Sequence, residues 1–200
     1  CEIDAQSGTL RLVYRTAGKG TEEFSHLRAD DRIDIMGPLG NGFTKKPGTA
    51  VLMGGGIGIP PMLQLAKELS AMGATVQAVL GYRDETFLDD AFVPYADVFY
   101  ASEDGTHGVK GNVMDALREY GITGDTIYAC GQTPMLRAIQ SYALEQGIEA
   151  QLSLEEKMAC GIGACLACVC KSKEKDHHTN VHNKRICKDG PVFLAGEVEF

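Results

Sequence analysis

Short apolar runs alternate with amphipathic stretches of helical period between residues 50 and 152. The apolar runs predict strands at residues 50–53, 75–82, 97–101, 126–130 and 149–152. The 3.6-residue period between them predicts helices at residues 62–72, 112–120 and 134–146. Strands that alternate with helices are typical of right-handed βαβ units, so we expect a parallel sheet.

The first part of the chain follows a different pattern. Residues 9–16 and 31–36 are rich in β-formers and predict two strands. Between them, Gly20 and Thr21 belong to a glycine turn that leads into a short helical pattern. Residues 37–43 predict a dense turn, and residues 44–48 have the composition of a linker. This pattern predicts a β-rich part that ends before an α/β domain begins.

A glycine loop follows the first strand of the predicted parallel sheet. Its candidate nucleotide-binding residues are Gly54, Gly55, Gly56 and Gly58. Small residues let the backbone approach a pyrophosphate at a helix N-terminus, where the helix dipole favours negative charge. A plain strand-to-helix turn is the alternative, because Pro61 occupies the third glycine position of the G-x-G-x-x-G fingerprint.

Two further strand ends carry candidate nucleotide contacts. Arg83, Asp84 and Glu85 follow the second strand, where an acidic residue binds a ribose 2′-hydroxyl and an arginine accepts a 2′-phosphate. Both kinds of residue are present, so NADH is favoured over NADPH only slightly. Cys130 and Gly131 stand at the end of strand 126–130. Because the carboxyl ends of parallel strands meet at one edge, we expect one shared nucleotide site.

Composition and charge exclude several classes of partner. The chain has 44% hydrophobic and 23% charged residues and a net charge of −8, which is an ordinary globular balance without a basic excess. No nucleic-acid or anionic-membrane partner is therefore expected. No apolar run approaches the roughly 20 residues that span a bilayer, and we expect a cytoplasmic protein. Because the sequence begins at Cys1, we expect it to start inside a domain.

Four of the seven cysteines form the strongest chemical signal. Cys160, Cys165 and Cys168 have the C-x₄-C-x₂-C spacing of plant-type [2Fe–2S] clusters, and Cys187 supplies a distant fourth thiolate. The intervening residues of the tight turn are small or apolar, so backbone N–H groups can be directed at sulfur. This pattern predicts a two-iron cluster near the C-terminus.

The cysteines have three other interpretations, which are a zinc site, a disulfide framework and a Rieske centre. A zinc site usually pairs two short C-x-x-C knuckles, and only one is present. A disulfide framework fits poorly with an odd number of cysteines, and a Rieske centre needs two histidine ligands. The polar segment that contains His177, His178 and His182 has no cysteine at the offset that a Rieske centre requires, and it predicts a solvated loop. Cys170 is an alternative to Cys168, although Cys168 keeps the spacing.

These motifs resemble, in their order, those of a known family. The segments G-P-L-G-N-G-F, G-G-G-I-G-I-P-P-M, Y-A-C-G-Q-T-P-M, M-A-C-G-I-G-A-C-L-A-C and C-K-D-G-P-V-F are similar to those of the electron-transfer subunits of type B dihydroorotate dehydrogenase, in the ferredoxin reductase superfamily. The resemblance covers essentially the whole chain. It implies an α/β and β fold with a partial flavin-binding β-barrel (1–46), a parallel-sheet NAD-binding domain (47–152) and a small [2Fe–2S] module (153–200).

The resemblance also implies which residues hold the cofactors. FAD contacts are expected at Val13, Tyr14, Arg15, Gly20 and Thr21. NAD contacts are expected at the glycine loop and at Cys130 and Gly131, and the cluster is expected on Cys160, Cys165, Cys168 and Cys187. The family's R-P-x-S flavin motif would precede Cys1, so residues 1–46 are expected to be only the tail of the barrel.

In this family, NADH passes a hydride to FAD, and the cluster relays single electrons to an FMN-containing dihydroorotate dehydrogenase catalytic subunit. The resemblance therefore implies a hetero-oligomer. The cofactors carry the chemistry, so no general acid or base is assigned, and Cys130 is expected to pack near the nicotinamide. The alternatives are a reductase subunit of a hydrogenase or transhydrogenase-type flavoprotein, and a non-catalytic iron–sulfur module.

Overall fold

The structure, a computed structural model, describes residues 1–175 and 180–200. His177 and His178 of the predicted loop lie outside the described residues, whereas His182 is described and exposed. No helix in these described ranges has the length and apolar character needed to cross a bilayer.

The N-terminal part contains little regular structure. Strands β1 (Glu2–Asp4) and β2 (Thr9–Arg11) form a two-stranded antiparallel sheet, and helix α1 (Lys19–Ser25) follows. The predicted strand 9–16 is thus cut to its first three residues, and the prediction of a strand at residues 31–36 is wrong. Strands need paired neighbours to satisfy their backbone groups, and β-forming residues alone do not supply them.

The α/β domain is built on parallel strands, as predicted. Its strands are β3 (Thr49–Gly55), β4 (Thr75–Tyr82), β5 (Asp97–Ser102), β6 (Val109–Lys110), β7 (Thr126–Cys130) and β8 (Glu149–Ser153). Its helices are α2 (Ile59–Ala71), α3 (Asp89–Phe92), α4 (Val113–Glu119) and α5 (Thr133–Gln146). The spatial strand order is β8-β7-β3-β4-β5-β6, so the direction of winding reverses between β3 and β7. In open α/β sheets, ligands bind at such a switch point.

Two hydrophobic layers cover the faces of this sheet. Along β3, Ala50 and Leu52 pack with α2, while Val51 and Met53 belong to the opposite layer with α4 and α5. This alternation follows from the two-residue period of a strand. Strands buried on both faces read as continuous apolar runs, which is why their positions were predictable.

The C-terminal module adds four short strands, which are β9 (Val169–Ser172), β10 (Asn183–Arg185), β11 (Val192–Leu194) and β12 (Val198–Glu199). β9, β10 and β12 form a small antiparallel sheet, and β11 pairs antiparallel with β8, which extends the central sheet to seven strands. Cys168, Cys187 and Phe193 are buried in the same core as α5. The module therefore folds against the α/β domain.

Candidate functional site

The strands that flank the switch point end at one edge of the sheet. In the register of the sheet, Gly54 is paired with Leu80 of β4 and with Cys130 of β7. Gly54 and Gly55 are thus part of β3, and the loop proper is Gly56–Gly58, a single 3-10 turn that leads into α2. The predicted loop spans residues 54–61, so the observed loop is five residues shorter: β3 extends through Gly55 and α2 begins at Ile59.

Two glycines of this loop are required by the backbone. Gly56 has a φ of +52°, a conformation that side-chain-bearing residues rarely adopt. Gly58 is buried, and a Cβ at this position would lie 2.1 Å from the carbonyl oxygen of Cys130. Pro60 and Pro61 occupy the first turn of α2, as predicted, where their missing N–H groups are not needed.

A cleft of about 340 Å³ opens at the switch point. It is lined by Arg15, Gly55, Gly56, Ile57, Gly58, Cys130, Gly131, Gln132, Ser153, Leu154 and Glu155. Burial raises the pKa of the Cys130 thiol, and a hydrogen bond with Ser153 only partly opposes this shift. A neutral thiol is a poor nucleophile, so no nucleophilic role is assigned to Cys130, and its packing near the nicotinamide stays a prediction.

A second cavity of about 470 Å³ lies beside this cleft. It is lined by Gly131, Gln132, Thr133, Pro134, Glu155, Glu156 and Lys157.

Asp84 and Glu85 are exposed at the end of β4, and the Asp84 carboxylate accepts the N–H of Glu85 at 2.9 Å. All the segments predicted to bind the nucleotide therefore lie at strand carboxyl ends.

The predicted flavin residues are only partly brought to this cleft. Arg15 lines it, although it belongs to the N-terminal part of the chain. Tyr14 is exposed and packs edge to face on Phe24 of α1, with ring centroids 5.9 Å apart. Val13 is half-buried in the irregular segment that follows β2.

Gly20 and Thr21 lie within α1 rather than ahead of it. The Thr21 hydroxyl accepts the N–H groups of Ala17 at 2.9 Å and Gly18 at 3.1 Å, so it caps the helix N-terminus. The sequence predicts a helix start after Thr21, and the helix instead begins at Lys19. The capping bonds fix the backbone of the predicted phosphate turn.

The candidate cluster site lies between the cysteine loop, residues 160–168, and the start of the C-terminal turn at Cys187. The Cys160 sulfur accepts the N–H of Ala164 at 3.3 Å and the N–H of Cys165 at 3.4 Å. The Cys168 sulfur accepts the N–H of Cys187 at 3.4 Å. Backbone donors aimed at sulfur stabilise negative charge there, as a thiolate ligand requires.

The four cysteines form two pairs, Cys160 with Cys165 and Cys168 with Cys187. Across residues 1–175 and 180–200, no three His, Cys, Asp or Glu side chains are grouped as the ligands of one metal ion would be. A [2Fe–2S] cluster takes two ligands on each of its irons, whereas zinc needs four around one centre. The contacts of Cys160 with Cys165 and of Cys168 with Cys187 match the two-by-two ligand arrangement of a two-iron cluster.

The electrostatics of the two pairs differ. Backbone N–H groups of Cys165 and Ile162, followed by the Cys165 thiol and the N–H of Ala164, lower the pKa of Cys160 to about 6. A hydrogen bond with the Cys168 thiol raises the pKa of Cys187. Cluster binding would therefore release a proton from Cys187.

Cys170 occupies a different environment from the predicted ligands. It lies in β9 and packs against the hydrophobic core, and burial raises the pKa of its thiol. Cys168, in contrast, is hydrogen-bonded to Cys187.

Sequence reasoning missed two residues that hold the cluster site. The guanidinium of Arg185 binds the Asp189 carboxylate through Nε at 3.0 Å and Nη2 at 3.2 Å, and its Nη1 donates to the carbonyl of Gly163 at 3.3 Å. Asn41 donates its side-chain amide to the carbonyls of Lys188 and Asp189, both at 3.1 Å. The G-P-L-G-N-G-F segment, which contains Asn41, was a signal for this residue, but the segment does not predict that Asn41 contacts Lys188 and Asp189.

Comparison with known proteins places these features in a family. The profile of the iron–sulfur cluster binding domain of dihydroorotate dehydrogenase B matches residues 155–199. The electron transfer subunit of dihydroorotate dehydrogenase B (NAD(+)) from Geobacillus thermodenitrificans (strain NG80-2) is 41% identical, over 99% of this chain and 77% of the relative. The Bacillus cereus (strain G9842) protein of the same name is 42% identical with the same coverage.

Solved structures agree with this placement. The NADH-dependent reduced ferredoxin-NADP oxidoreductase superposes with a TM-score of 0.81 and 30% identity, over 93% of this chain and 67% of that one. The flavohemoglobin of Malassezia yamatoensis shares the fold at a TM-score of 0.57 and 21% identity, over 68% of this chain and 40% of that one. The predicted fold class and the predicted resemblance are both confirmed. This chain belongs to the family of the electron transfer subunits of dihydroorotate dehydrogenase B (NAD(+)).

Proposed function

We propose that this chain carries electrons from NADH through FAD and a [2Fe–2S] cluster to a partner subunit that oxidises dihydroorotate in pyrimidine biosynthesis. The observation that carries the proposal is that backbone N–H groups donate to the sulfurs of Cys160 and Cys168, two of the four predicted cluster ligands. The chain is also 41% identical, over 99% of its length, to an electron transfer subunit of dihydroorotate dehydrogenase B. When bound, FAD supplies two-electron exchange with NADH, and the cluster supplies one-electron carriage.

The cysteine loop and the Cys187 turn hold the cluster in this proposal. Cys160 and Cys165 ligate one iron, and Cys168 and Cys187 ligate the other. Cys165 is exposed, while Cys168 and Cys187 are buried, so one side of the site faces solvent and the other faces the core. An electron can therefore leave through the exposed pair without crossing the hydrophobic core.

The glycine loop binds the nicotinamide nucleotide. The turn at Gly56–Gly58 lets the dinucleotide approach the first turn of α2, where the helix dipole favours phosphate. Cys130 and Gly131 border the same cleft and pack against the nicotinamide. Asp84 and Glu85 at the end of β4 favour the free 2′-hydroxyl of NADH over the 2′-phosphate of NADPH.

FAD occupies the cleft between the N-terminal part and the α/β domain. Arg15 brings a positive charge to this cleft, which suits an anionic group of FAD such as its diphosphate. Val13, Tyr14, Gly20 and Thr21 complete the proposed contacts from the barrel segment. Residues 1–46, 47–152 and 153–200 then act as the flavin, NAD and cluster domains.

The partner is proposed to be an FMN-containing catalytic subunit that forms a hetero-oligomer with this chain in the cytoplasm. All seven cysteines are free thiols, as expected of a reducing compartment. A transhydrogenase-type reductase is the second candidate, since the ferredoxin-NADP oxidoreductase shares 30% identity. The family match is stronger, at 41% identity over 99% of the chain.

Anaerobic reconstitution tests the proposal. The protein is supplied with iron and sulfide, then with FAD and NADH, and the visible and electron paramagnetic resonance spectra are followed. We expect a [2Fe–2S] absorbance that NADH bleaches only when FAD is present. A colourless protein that carries stoichiometric zinc would contradict the cluster assignment. Co-purification with a dihydroorotate-oxidising subunit, rather than with a hydrogenase, separates the candidate partners.

A further inference from the structure

The turn that follows Cys187 is bound to a turn of the N-terminal part almost 150 residues away in sequence. The Nδ2 atom of Asn41 donates to the carbonyl oxygens of Lys188 and Asp189, at 3.1 Å each. Lys188 and Asp189 are the two residues that immediately follow Cys187, the proposed fourth ligand. The side-chain amide of Asn41 therefore restrains the backbone that carries Cys187.

The backbone of the same turn adds further contacts. The N–H of Asn41 donates to the carbonyl of Gly190 at 2.5 Å, and its carbonyl accepts the N–H of Val192 at 3.3 Å. Gly40 lies next to the hydrogen bond between Asn41 and Gly190. A Cβ on Gly40 would lie 2.1 Å from the Gly190 oxygen, and the φ of Gly40 is +66°. Only glycine allows so close an approach. We call these contacts of Gly40 and Asn41 with residues 188–192 the Asn41 clasp.

Residues 36–39, which directly precede the clasp, lie next to Gly161 of the cysteine loop. Leu39 Cδ1 and Met36 Sδ lie 3.5 and 3.9 Å from the position that a Cβ on Gly161 would occupy. Arg185 joins the Cys187 turn to that loop, because its guanidinium binds both the Asp189 carboxylate and the Gly163 carbonyl. The loop of three cysteines and the turn of the fourth are thus tied together by Arg185 and tied to the N-terminal part by the clasp.

We propose that Asn41 is a positioning residue for Cys187, which fixes the fourth sulfur relative to the other three by holding the carbonyls of Lys188 and Asp189. This inference rests on the proposed ligation of the cluster by Cys187. Cys187 is 19 residues from Cys168, so ligand spacing alone does not orient it. Residues that orient metal ligands commonly change metal retention by about 10- to 100-fold when replaced.

The first test compares Asn41→Asp with Asn183→Asp in the cluster-loaded protein. Asn41→Asp keeps the shape of the side chain but turns a donor into an acceptor that faces two carbonyl oxygens. Asn183 is exposed on β10, four residues before Cys187, and none of the described hydrogen bonds uses its side chain. The control therefore adds the same charge to the module that carries Cys187 without breaking the clasp.

The second test compares Gly40→Ala with Gly8→Ala. Both glycines have a φ of +66°, so both substitutions place an alanine in the left-handed region, but Gly8 has no atom within 4 Å of its added Cβ. Gly40→Ala pushes the two turns apart while leaving the Asn41 side chain unchanged. This pair keeps the inference testable if Asn41→Asp does not fold.

Cluster release to an iron chelator and the visible circular dichroism of the cluster are measured for all four variants. We expect Asn41→Asp and Gly40→Ala to release iron about 10- to 100-fold faster than the wild type and to change the dichroism, with both controls unchanged. Wild-type release rates and spectra in both clasp variants would overturn the inference and leave the proposed function intact. A wild-type protein that binds no [2Fe–2S] cluster would overturn both.

Discussion

Gly58 packs directly against the peptide carbonyl of Cys130, and a Cβ on Gly58 would lie 2.1 Å from that oxygen. The contact joins the glycine loop to the end of β7, so the two sides of the nucleotide cleft are fixed relative to each other. Gly58 has a φ of −78°, which any residue adopts. Its requirement for glycine is therefore one of space.

Gly58→Ala is expected to lower the free energy of unfolding by about 1–3 kcal/mol, because the added methyl group forces the loop away from β7. It is also expected to weaken NADH binding. Urea unfolding and fluorescence titration with NADH measure the two effects. Gly196→Ala is the control, since no atom lies within 4 Å of a Cβ there. Equal stability and NADH affinity in the two variants would show that the loop can shift freely.

Serine substitutions test the assignment of the cluster ligands. Cys160→Ser, Cys165→Ser, Cys168→Ser and Cys187→Ser are each expected to lose most of the bound iron and the visible absorbance, because serine is a poor ligand for these irons. Cys170→Ser is the matched control and is expected to keep both, since Cys170 packs in the core. Iron content and electron paramagnetic resonance spectra of each variant give the answer. Loss of the cluster in Cys170→Ser with retention in Cys168→Ser would reverse the assignment.

The cluster-free protein is expected to react with iodoacetamide first at Cys160. The neighbouring N–H groups lower the pKa of Cys160 to about 6, so its thiolate is present above that pH and is lost as the pH falls below it. Burial raises the pKa of Cys170, which should stay unmodified over the same range. Peptide mass spectrometry after brief alkylation between about pH 5 and pH 8 follows both residues. A Cys160 midpoint near the ordinary thiol value of about 8.5 would contradict the expectation.

Gln151 is a buried polar residue that holds residues 44–48 against β8. Its amide accepts the N–H of Thr44 at 2.8 Å and donates to the Thr44 carbonyl at 2.9 Å. Gln151→Leu leaves the N–H of Thr44 without its partner and leaves the Thr44 carbonyl with only the Tyr128 hydroxyl, at 3.3 Å, so it is expected to cost about 1–3 kcal/mol of unfolding free energy. Gln146→Leu, at an exposed position of α5, controls for the change of residue type. Similar unfolding curves for the two variants would mean that water replaces the lost bonds.

The α/β domain was predictable because its signals are local. The strands Thr75–Tyr82 and Thr126–Cys130 were predicted at their observed bounds, since strands buried on both faces form continuous apolar runs. Residues 31–36 also contain β-forming isoleucines, but Ile33 and Ile35 are 45% and 62% exposed, and no strand in the described part of the chain pairs with them. β-forming residues become a strand only where a partner strand is available.

The sequence by itself determined the family, the order of the parts and the cysteine spacing, because each of these is written in residues close together along the chain. Tertiary structure alone decided that Cys168 meets Cys187, that Gly58 meets Cys130 and that Asn41 holds the turn after Cys187. These contacts join residues from 19 to almost 150 positions apart. Such pairs depend on how the whole chain closes, and no local pattern of polarity or propensity encodes them.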